Sequence, residues 1–274
     1  AKSGLQSNWF NVLSETKVLV HGYIQDYHTD IMMNMKDAYL KKEDLNVIVV
    51  DWSEIGDNSC YPMVATKGLH GVGSLLARLL DQLVAGGVSL SRVHLVGFSL
   101  GARVAGHAGS ELHNGLVYRI TGLDPALPYV PMESNKSLDA GDAVFVDIIH
   151  SAAGYLGQPG PMGHVDFYPN GGSQQPGCDI SSFGTCSHRR SALYFIESIN
   201  SGAEFRAAQC ESWQDFQTGH CNLSTTLPMG DNCPTNASGK YYLFTGQRQP
   251  FALLPEEHVK VKKSLLLDLF YDLG

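Results

Sequence analysis

Five stretches of the chain are rich in β-branched residues, and several of them are apolar almost throughout: "KVLVHGY" (17–23), "NVIVVDW" (46–52), "RVHLVGF" (92–98), "VYRITGL" (117–123) and "AVFVDII" (143–149). Short runs of this kind, bounded by turn residues, predict strands, and near-continuous apolarity predicts strands covered on both faces. Between them lie segments with helical spacing. Across 62–85, Val72, Leu75, Leu76, Leu79, Leu80 and Leu83 recur at steps of three and four, with Arg78, Asp81 and Gln82 between them. That spacing predicts a helix whose stripe packs into the core. The alternation of strand and helix implies an α/β fold, a mostly parallel sheet with helices on both faces. Beyond about residue 150 the texture changes. "SAAGYLGQPGPMGH" and "YPNGGSQQPGCDISSFGTC" are rich in Gly, Pro and Ser and predict loops, followed by a helix over 187–200 and a short cysteine-rich segment. Neither a repeat nor a linker is visible, so residues 1–274 read as a single domain.

Composition narrows the class. The 274 residues are 43% hydrophobic and 17% charged, enough for a substantial core. A formal charge of −8 argues against general nucleic-acid binding. The basic groups Lys41-Lys42, Arg189-Arg190 and "KVKK" (260–263) read mostly as solvated surface. No apolar stretch approaches the roughly 18 to 20 residues that span a bilayer. The first residue, Ala1, is followed by nothing signal-like, so a targeting peptide is expected to have been removed or not included. The six cysteines (Cys60, Cys178, Cys186, Cys210, Cys221 and Cys233) show no Cys-x-x-Cys spacing, and Asn135, Asn222 and Asn236 open glycosylation sequons. An oxidised, secreted protein fits this pattern better than a metal-binding one.

The candidate chemistry begins at Gly97-Phe98-Ser99-Leu100-Gly101. A Gly-x-Ser-x-Gly pattern between a strand and a helix forms a tight elbow that lifts the serine oxygen above the strand ends. Here Val93 to Phe98 supply the strand. Leu100 to about Leu112 supply a helix whose small residues suit close packing on a sheet. A serine nucleophile needs a base and a group that orients the base, with the acid next in the chain and the histidine last. Asp124 ends the following strand, where Pro125 would stop it, and spacing favours it as the acid. Asp147, inside a strand, suits a structural role, and Asp139, Asp142 and Asp166 are loop alternatives. Five downstream histidines (His150, His164, His188, His220 and His258) are not separated by position, although His188 follows a cysteine-bounded loop. For an oxyanion hole, the amides of Leu100 and of Tyr23, in "VLVHGY", are the expected donors, with His21 shaping the loop.

The segments "VLVHGY", "VDWS", "HLVGFSLGARVAGHAG", "RITGLDPALP", "DAVFVDIIH", "GHVDFYPNGGSQQPGC" and "CSHRRSALYFIESI" run in order across about residues 17–250 and resemble the animal pancreatic lipase family. The resemblance implies an α/β-hydrolase fold with Ser99 as nucleophile, Asp124 as acid and His188 as base, and with Tyr23 and Leu100 at the oxyanion-hole positions. It also implies one disulfide between Cys178 and Cys186, closing a lid loop, and a second between Cys210 and Cys221. Cys60 and Cys233 are left to pair by elimination.

The departures from the family bear on substrate. The lid holds only "DISSFGT", with Ile180 and Phe183 as candidate substrate-access residues, and the loop between His150 and His164 is also short. Both features are similar to the phospholipase A1 branch. A long lid adds apolar surface for a bulky triglyceride, whereas a stub leaves the cleft open to a lipid whose headgroup stays in water. Hydrolysis of a phospholipid sn-1 ester is the expectation, with transient contact at a lipid surface. A triacylglycerol or carboxyl-ester lipase is the alternative. Yolk-type relatives without activity lose the nucleophile, which this chain keeps. Neither a C-terminal β-sandwich nor a colipase partner is expected, and the tail "EEHVKVKKSLLLDLFYDLG" reads as a terminal helix packed on the body in preference to an amphipathic helix that touches membrane. No cofactor is expected. The calcium loop of some relatives falls on 133–142, where Asp139 and Asp142 match but Ser137 stands at an intervening ligand position.

Overall fold

The computed structural model describes residues 10–57, 60–127, 138–221 and 226–254. The five predicted strands are present as β1 (Thr16–Val20), β2 (Asn46–Val50), β3 (Val93–Phe98), β4 (Val117–Leu123) and β5 (Ala143–Ile149). Four more lie beyond residue 150, where no strand was expected: β6 (Val165–Pro169) at the junction of the two segments read as loops, and β7 (Phe205–Gln209), β8 (Thr226–Met229) and β9 (Gly239–Leu243) in the segment read as cysteine-rich. Each is five residues or fewer and carries proline, glycine or charge, so its apolar signal is weak. All nine form one sheet in the order β2-β1-β3-β4-β5-β6-β9-β7-β8. The pairings are parallel from β2 through β6 to β9, and β7 runs antiparallel to both its neighbours. This is an α/β-hydrolase fold.

Side-chain alternation assigns the two faces. Val18, Val20, Val93 and Leu95 join one core layer, while Leu19, Val96 and Phe98 join the other. The helices are α1 (Asp30–Lys42), α2 (Ser53–Gly56), α3 (Tyr61–Met63), α4 (Leu69–Ala85), α5 (Leu100–Ser110), α6 (Thr185–Asn200) and α7 (Trp213–Thr218). The first layer is completed by α4 and α5, the second by α1 and α6. The helix expected over 62–85 arrives as α3, a π-helical turn at Val64–Gly68, and α4. Its stripe is only partly core. Val72, Leu76, Leu80 and Leu83 are buried, but Leu75 is 55% and Leu79 38% exposed. These two leucines line a surface groove with Trp52 and Ile55, beside β2, the edge strand of the sheet among the described residues.

The strand order reverses between β1 and β3, because the chain runs outward to β2 before returning to the other side of β1. Such a switch point opens a crevice at the carboxyl ends of the two strands, the general ligand position in this architecture. Here those ends are continued by His21-Gly22-Tyr23 and by Ser99.

The opposite end of the sheet is a buried ion-pair network. Arg119 Nε and Nη2 donate to the two carboxylate oxygens of Asp147 at 2.7 and 2.8 Å, and Thr121 Oγ1 donates to Asp147 Oδ1 at 2.8 Å. Burial opposes the charge on Arg119, but Asp147 outweighs it and holds the guanidinium protonated. Replacing Arg119 with leucine strands Asp147 in the core and is expected to destabilise the fold by about 3–5 kcal/mol, read from urea midpoints. Removing both charged partners together should restore part of that loss.

Cys233 lies at this same end, beside His94 and Arg119, and is a buried thiol pushed up to about 12 by desolvation. Cys60 instead precedes α3, whose Tyr61 lines the crevice at the carboxyl ends of the strands. The sheet separates the two cysteines, so the expected Cys60–Cys233 pairing does not form. The other two disulfides do form, with Cα–Cα separations of 5.5 Å for Cys178–Cys186 and 5.1 Å for Cys210–Cys221.

Candidate active site

Ser99 stands between β3 and α5 with φ 58° and ψ −121°, a strained conformation for a residue with a side chain. Its neighbours explain how the strain persists. The amide of Ser99 donates to Leu123 O at 2.9 Å, and its carbonyl accepts from Ala102 and Ala126, both at 3.2 Å. Glycine is required on either side. A Cβ at position 97 would lie 2.3 Å from Gly101 O, and one at 101 would lie 2.3 Å from Val20 O. The first turn of α5 can therefore close onto β3 because Gly97 lacks a side chain, and press against β1 because Gly101 does.

Asp124, fully buried at the end of β4, has φ 44° and is pinned by its amide to Ile149 O at 2.8 Å. Its two carboxylate oxygens have different partners. Oδ1 accepts from the amides of Ser151 and Ala152 at 2.7 and 3.0 Å, and Oδ2 lies 2.5 Å from His188 Nδ1. A carboxylate only accepts, so His188 carries its proton on Nδ1 and leaves Nε2 with a lone pair. His188 sits in the first turn of α6, where its amide donates to Gly184 O at 2.8 Å, and its ring packs on Phe98 with centroids 4.8 Å apart. Ser99 and His188 line one cleft of about 550 Å³, walled mainly by Tyr23, Tyr61, Leu127, Tyr155 and Leu156.

The amide side of the cleft is built by the loop after β1. His21 accepts the Trp52 amide on Nε2 at 3.0 Å, which leaves Nδ1 to donate to Gly22 O at 2.9 Å, and its ring stacks on Trp52. Gln25 Oε1 accepts the Gly22 amide at 2.8 Å. A Cβ on Gly22 would reach within 3.0 Å of Ser99 Cβ, so this loop lies directly over the serine. Leu100 opens α5, and its amide belongs to the helix's first turn, where donors have no intrahelical partner.

The other candidates are placed elsewhere. Asp147 is the partner of Arg119. His150 and Asp166 form a second histidine–carboxylate pair at 2.8 Å, but they are 0% and 2% exposed, and His150 also bonds Gln158 O and stacks on Tyr168. This pair braces the loop and has no access to the cleft. His164 accepts the Val146 amide, His220 contacts Thr218, and His258 lies outside the described residues. Asp139 and Asp142 cap their own turn through each other's backbone, and burial pushes the Asp142 carboxyl up to about 7. The remainder of that calcium-loop segment, 133–137, lies outside the described residues, as do Asn135, Asn222 and the tail. Asn236 is exposed. Ile180 and Phe183 are 72% and 84% exposed on the seven-residue loop and do not line the cleft. The reading of Arg189-Arg190 as solvated surface fails for Arg190, which is buried, donates to Pro176 O and Gln247 O, and lies over the Phe251 ring.

Three contributors were missed in the sequence. Ser151 gives its amide to Asp124 while its hydroxyl bridges to His188 O and the Ser191 amide. Gly157 lies so close that a Cβ there would be 2.4 Å from Asp124 Oδ1. Gln25 fixes the loop over the serine. Only the position of Ser151, just past the end of β5, gave a signal, because carboxyl ends of parallel strands carry such sites.

A family model described as Lipase matches residues 1–251. The chain belongs to the Lipase family. It is 36% identical over 232 residues to "Lipase member H" of Oryctolagus cuniculus, covering 82% of this chain and 51% of that protein. It is 37% identical over 239 residues to "Phospholipase A1 member A" of Bos taurus, covering 85% and 52% respectively. The chain thus spans about half the length of these relatives. Among solved structures it is similar to an alpha/beta hydrolase from a Medee basin deep-sea metagenome library, with 16% identity, a TM-score of 0.37 and coverage of 58% and 63%.

Proposed function

We propose that the protein is a secreted serine esterase that hydrolyses the sn-1 acyl ester of phospholipids. The reading is carried by one observation: His188, oriented by Asp124 at 2.5 Å, shares a cleft with a serine held at φ 58°. In this mechanism His188 Nε2 takes the Ser99 proton as Oγ attacks the ester carbonyl carbon. The amides of Tyr23 and Leu100 hold the oxyanion. Collapse breaks the bond to the glycerol oxygen, which leaves as lysophospholipid after accepting the proton from His188. Water, deprotonated by the same Nε2, then releases the fatty acid and restores Ser99. Asp124 stays ionised throughout and stabilises the imidazolium.

Support for the phospholipid comes from the short loop between Cys178 and Cys186, whose apolar residues do not cover the cleft, and from the likeness to a protein named phospholipase A1. Two disulfides support an oxidising compartment. A phosphatidylcholine with distinguishable acyl chains tests the reading. Release of the sn-1 chain alone is expected, with triolein cleaved more slowly. Inertness toward the phospholipid with rapid triolein hydrolysis would favour a neutral-lipid lipase instead.

A further inference from the structure

The described walls of the cleft are mainly apolar and uncharged polar groups. Among the described residues that line it, Arg189 is the single arginine or lysine. It follows His188 on α6, and Thr185, His188 and Arg189 stand at i, i+3 and i+4, so all three face the cleft from the same side of the helix. Arg190, next in the chain, is unavailable because two backbone carbonyls and an aromatic ring hold it in the interior. Arg189 is different. Its side chain is 49% exposed, and its partner is Asp30 at the start of α1, reached at 3.4 Å with 79% of the aspartate side chain in solvent. Ile31, the residue after Asp30, also lines the cleft. The pair therefore links α6 to α1 at the mouth of the cleft, and it is long and solvent-screened, which leaves the guanidinium exchangeable. The surrounding protein carries a formal charge of −8, so a cation at this mouth runs against the overall field.

We infer that Arg189 is the specificity-determining residue for the phosphodiester of a phospholipid, leaving Asp30 to bind the phosphate when the ester reaches Ser99. The inference rests on the phospholipid reading above and names the group that makes the choice. In a glycerophospholipid the phosphate is attached to the same glycerol as the scissile ester, only a few bonds from the carbonyl. A cation on the residue adjoining the catalytic base is within the span of one such molecule. The planar guanidinium suits a phosphodiester, offering paired donors to two oxygens. A neutral diacylglycerol or triacylglycerol has nothing to offer that group, so the contact favours phospholipid without excluding the others.

The test compares kcat/KM on phosphatidylcholine and on the diacylglycerol with the same chains, presented in the same mixed micelles. For Arg189→Ala, a fall of about tenfold on the phospholipid is expected, the size of one solvent-facing charge-assisted contact, with the diacylglycerol rate unchanged. Arg189→Glu should lower the phospholipid rate further and leave diacylglycerol within twofold. An equal fall on both substrates, or no fall on either, would overturn the assignment of Arg189 while the phospholipid reading stands. A wild-type enzyme that cleaves the diacylglycerol but not the phospholipid overturns both.

Discussion

Ser99→Ala is expected to lower hydrolysis of any ester substrate by roughly five to six orders of magnitude while leaving the fold as stable as before. The size follows from the division of labour. Without Oγ there is no acyl-enzyme, and the donors that would hold the oxyanion can act only on direct attack by water, which retains a small part of the acceleration. The stability expectation follows from the backbone. Serine and alanine carry the same Cβ, so the strain at φ 58° is common to both, and the bonds that hold the elbow come from main-chain atoms of Ser99 rather than from Oγ. Fatty-acid release in a pH-stat and thermal unfolding by circular dichroism read the two halves separately. A variant that kept activity within tenfold of wild type would exclude Ser99 as nucleophile. A variant that lost activity together with several degrees of melting temperature would show that the hydroxyl serves structure.

The parts of this molecule that were legible in the sequence are those where one residue type satisfies one local demand. The long apolar runs were legible as strands without alternation, most clearly β1 and β3, which are buried along their whole length, whereas the edge strand β2 is only partly buried. The elbow was legible because Gly97 and Gly101 admit no Cβ against Gly101 O and Val20 O, so backbone crowding writes itself into the sequence. The later strands were not, since β6 and β9 pair side by side although some seventy residues separate them, and their register depends on the whole sheet. The same limit applies to the histidines. His150 and His188 each sit beside a carboxylate, and only three-dimensional access to the cleft singles out His188 as the one proposed to act as base. Spacing likewise could not see that Leu75 and Leu79 fall beside an edge strand where no described residue buries them, or that Cys60 and Cys233 are at opposite ends of the sheet. Ser151 and Gly157 act on Asp124 from another segment of the chain, Gln25 acts on Gly22 within its own loop, and all three residue types are ordinary in the places where they occur.

Asp124→Asn is expected to lower kcat by about 10⁴ with KM little changed, because it alters a proton's position rather than a shape. Asparagine is nearly isosteric, and its Oδ1 can still accept from the amides of Ser151 and Ala152, the contacts at 2.7 and 3.0 Å that orient the group. Those two donors fix which end of the amide faces them. The NH₂ must then point at His188 Nδ1, which has to become an acceptor, and the imidazole proton moves to Nε2. A histidine in that tautomer cannot take the proton from Ser99 Oγ. Rotating the amide to restore the original tautomer would set its NH₂ against the two backbone donors inside a fully buried site, which leaves polar groups unsatisfied. Three readouts together isolate this mechanism from a general loosening of the site. The melting temperature should stay within a few degrees of wild type, labelling of Ser99 by an organophosphate should slow in parallel with kcat, and KM should hold. If labelling kept its wild-type rate while ester turnover fell, His188 would still be accepting the serine proton, and the role assigned to Asp124 would be wrong.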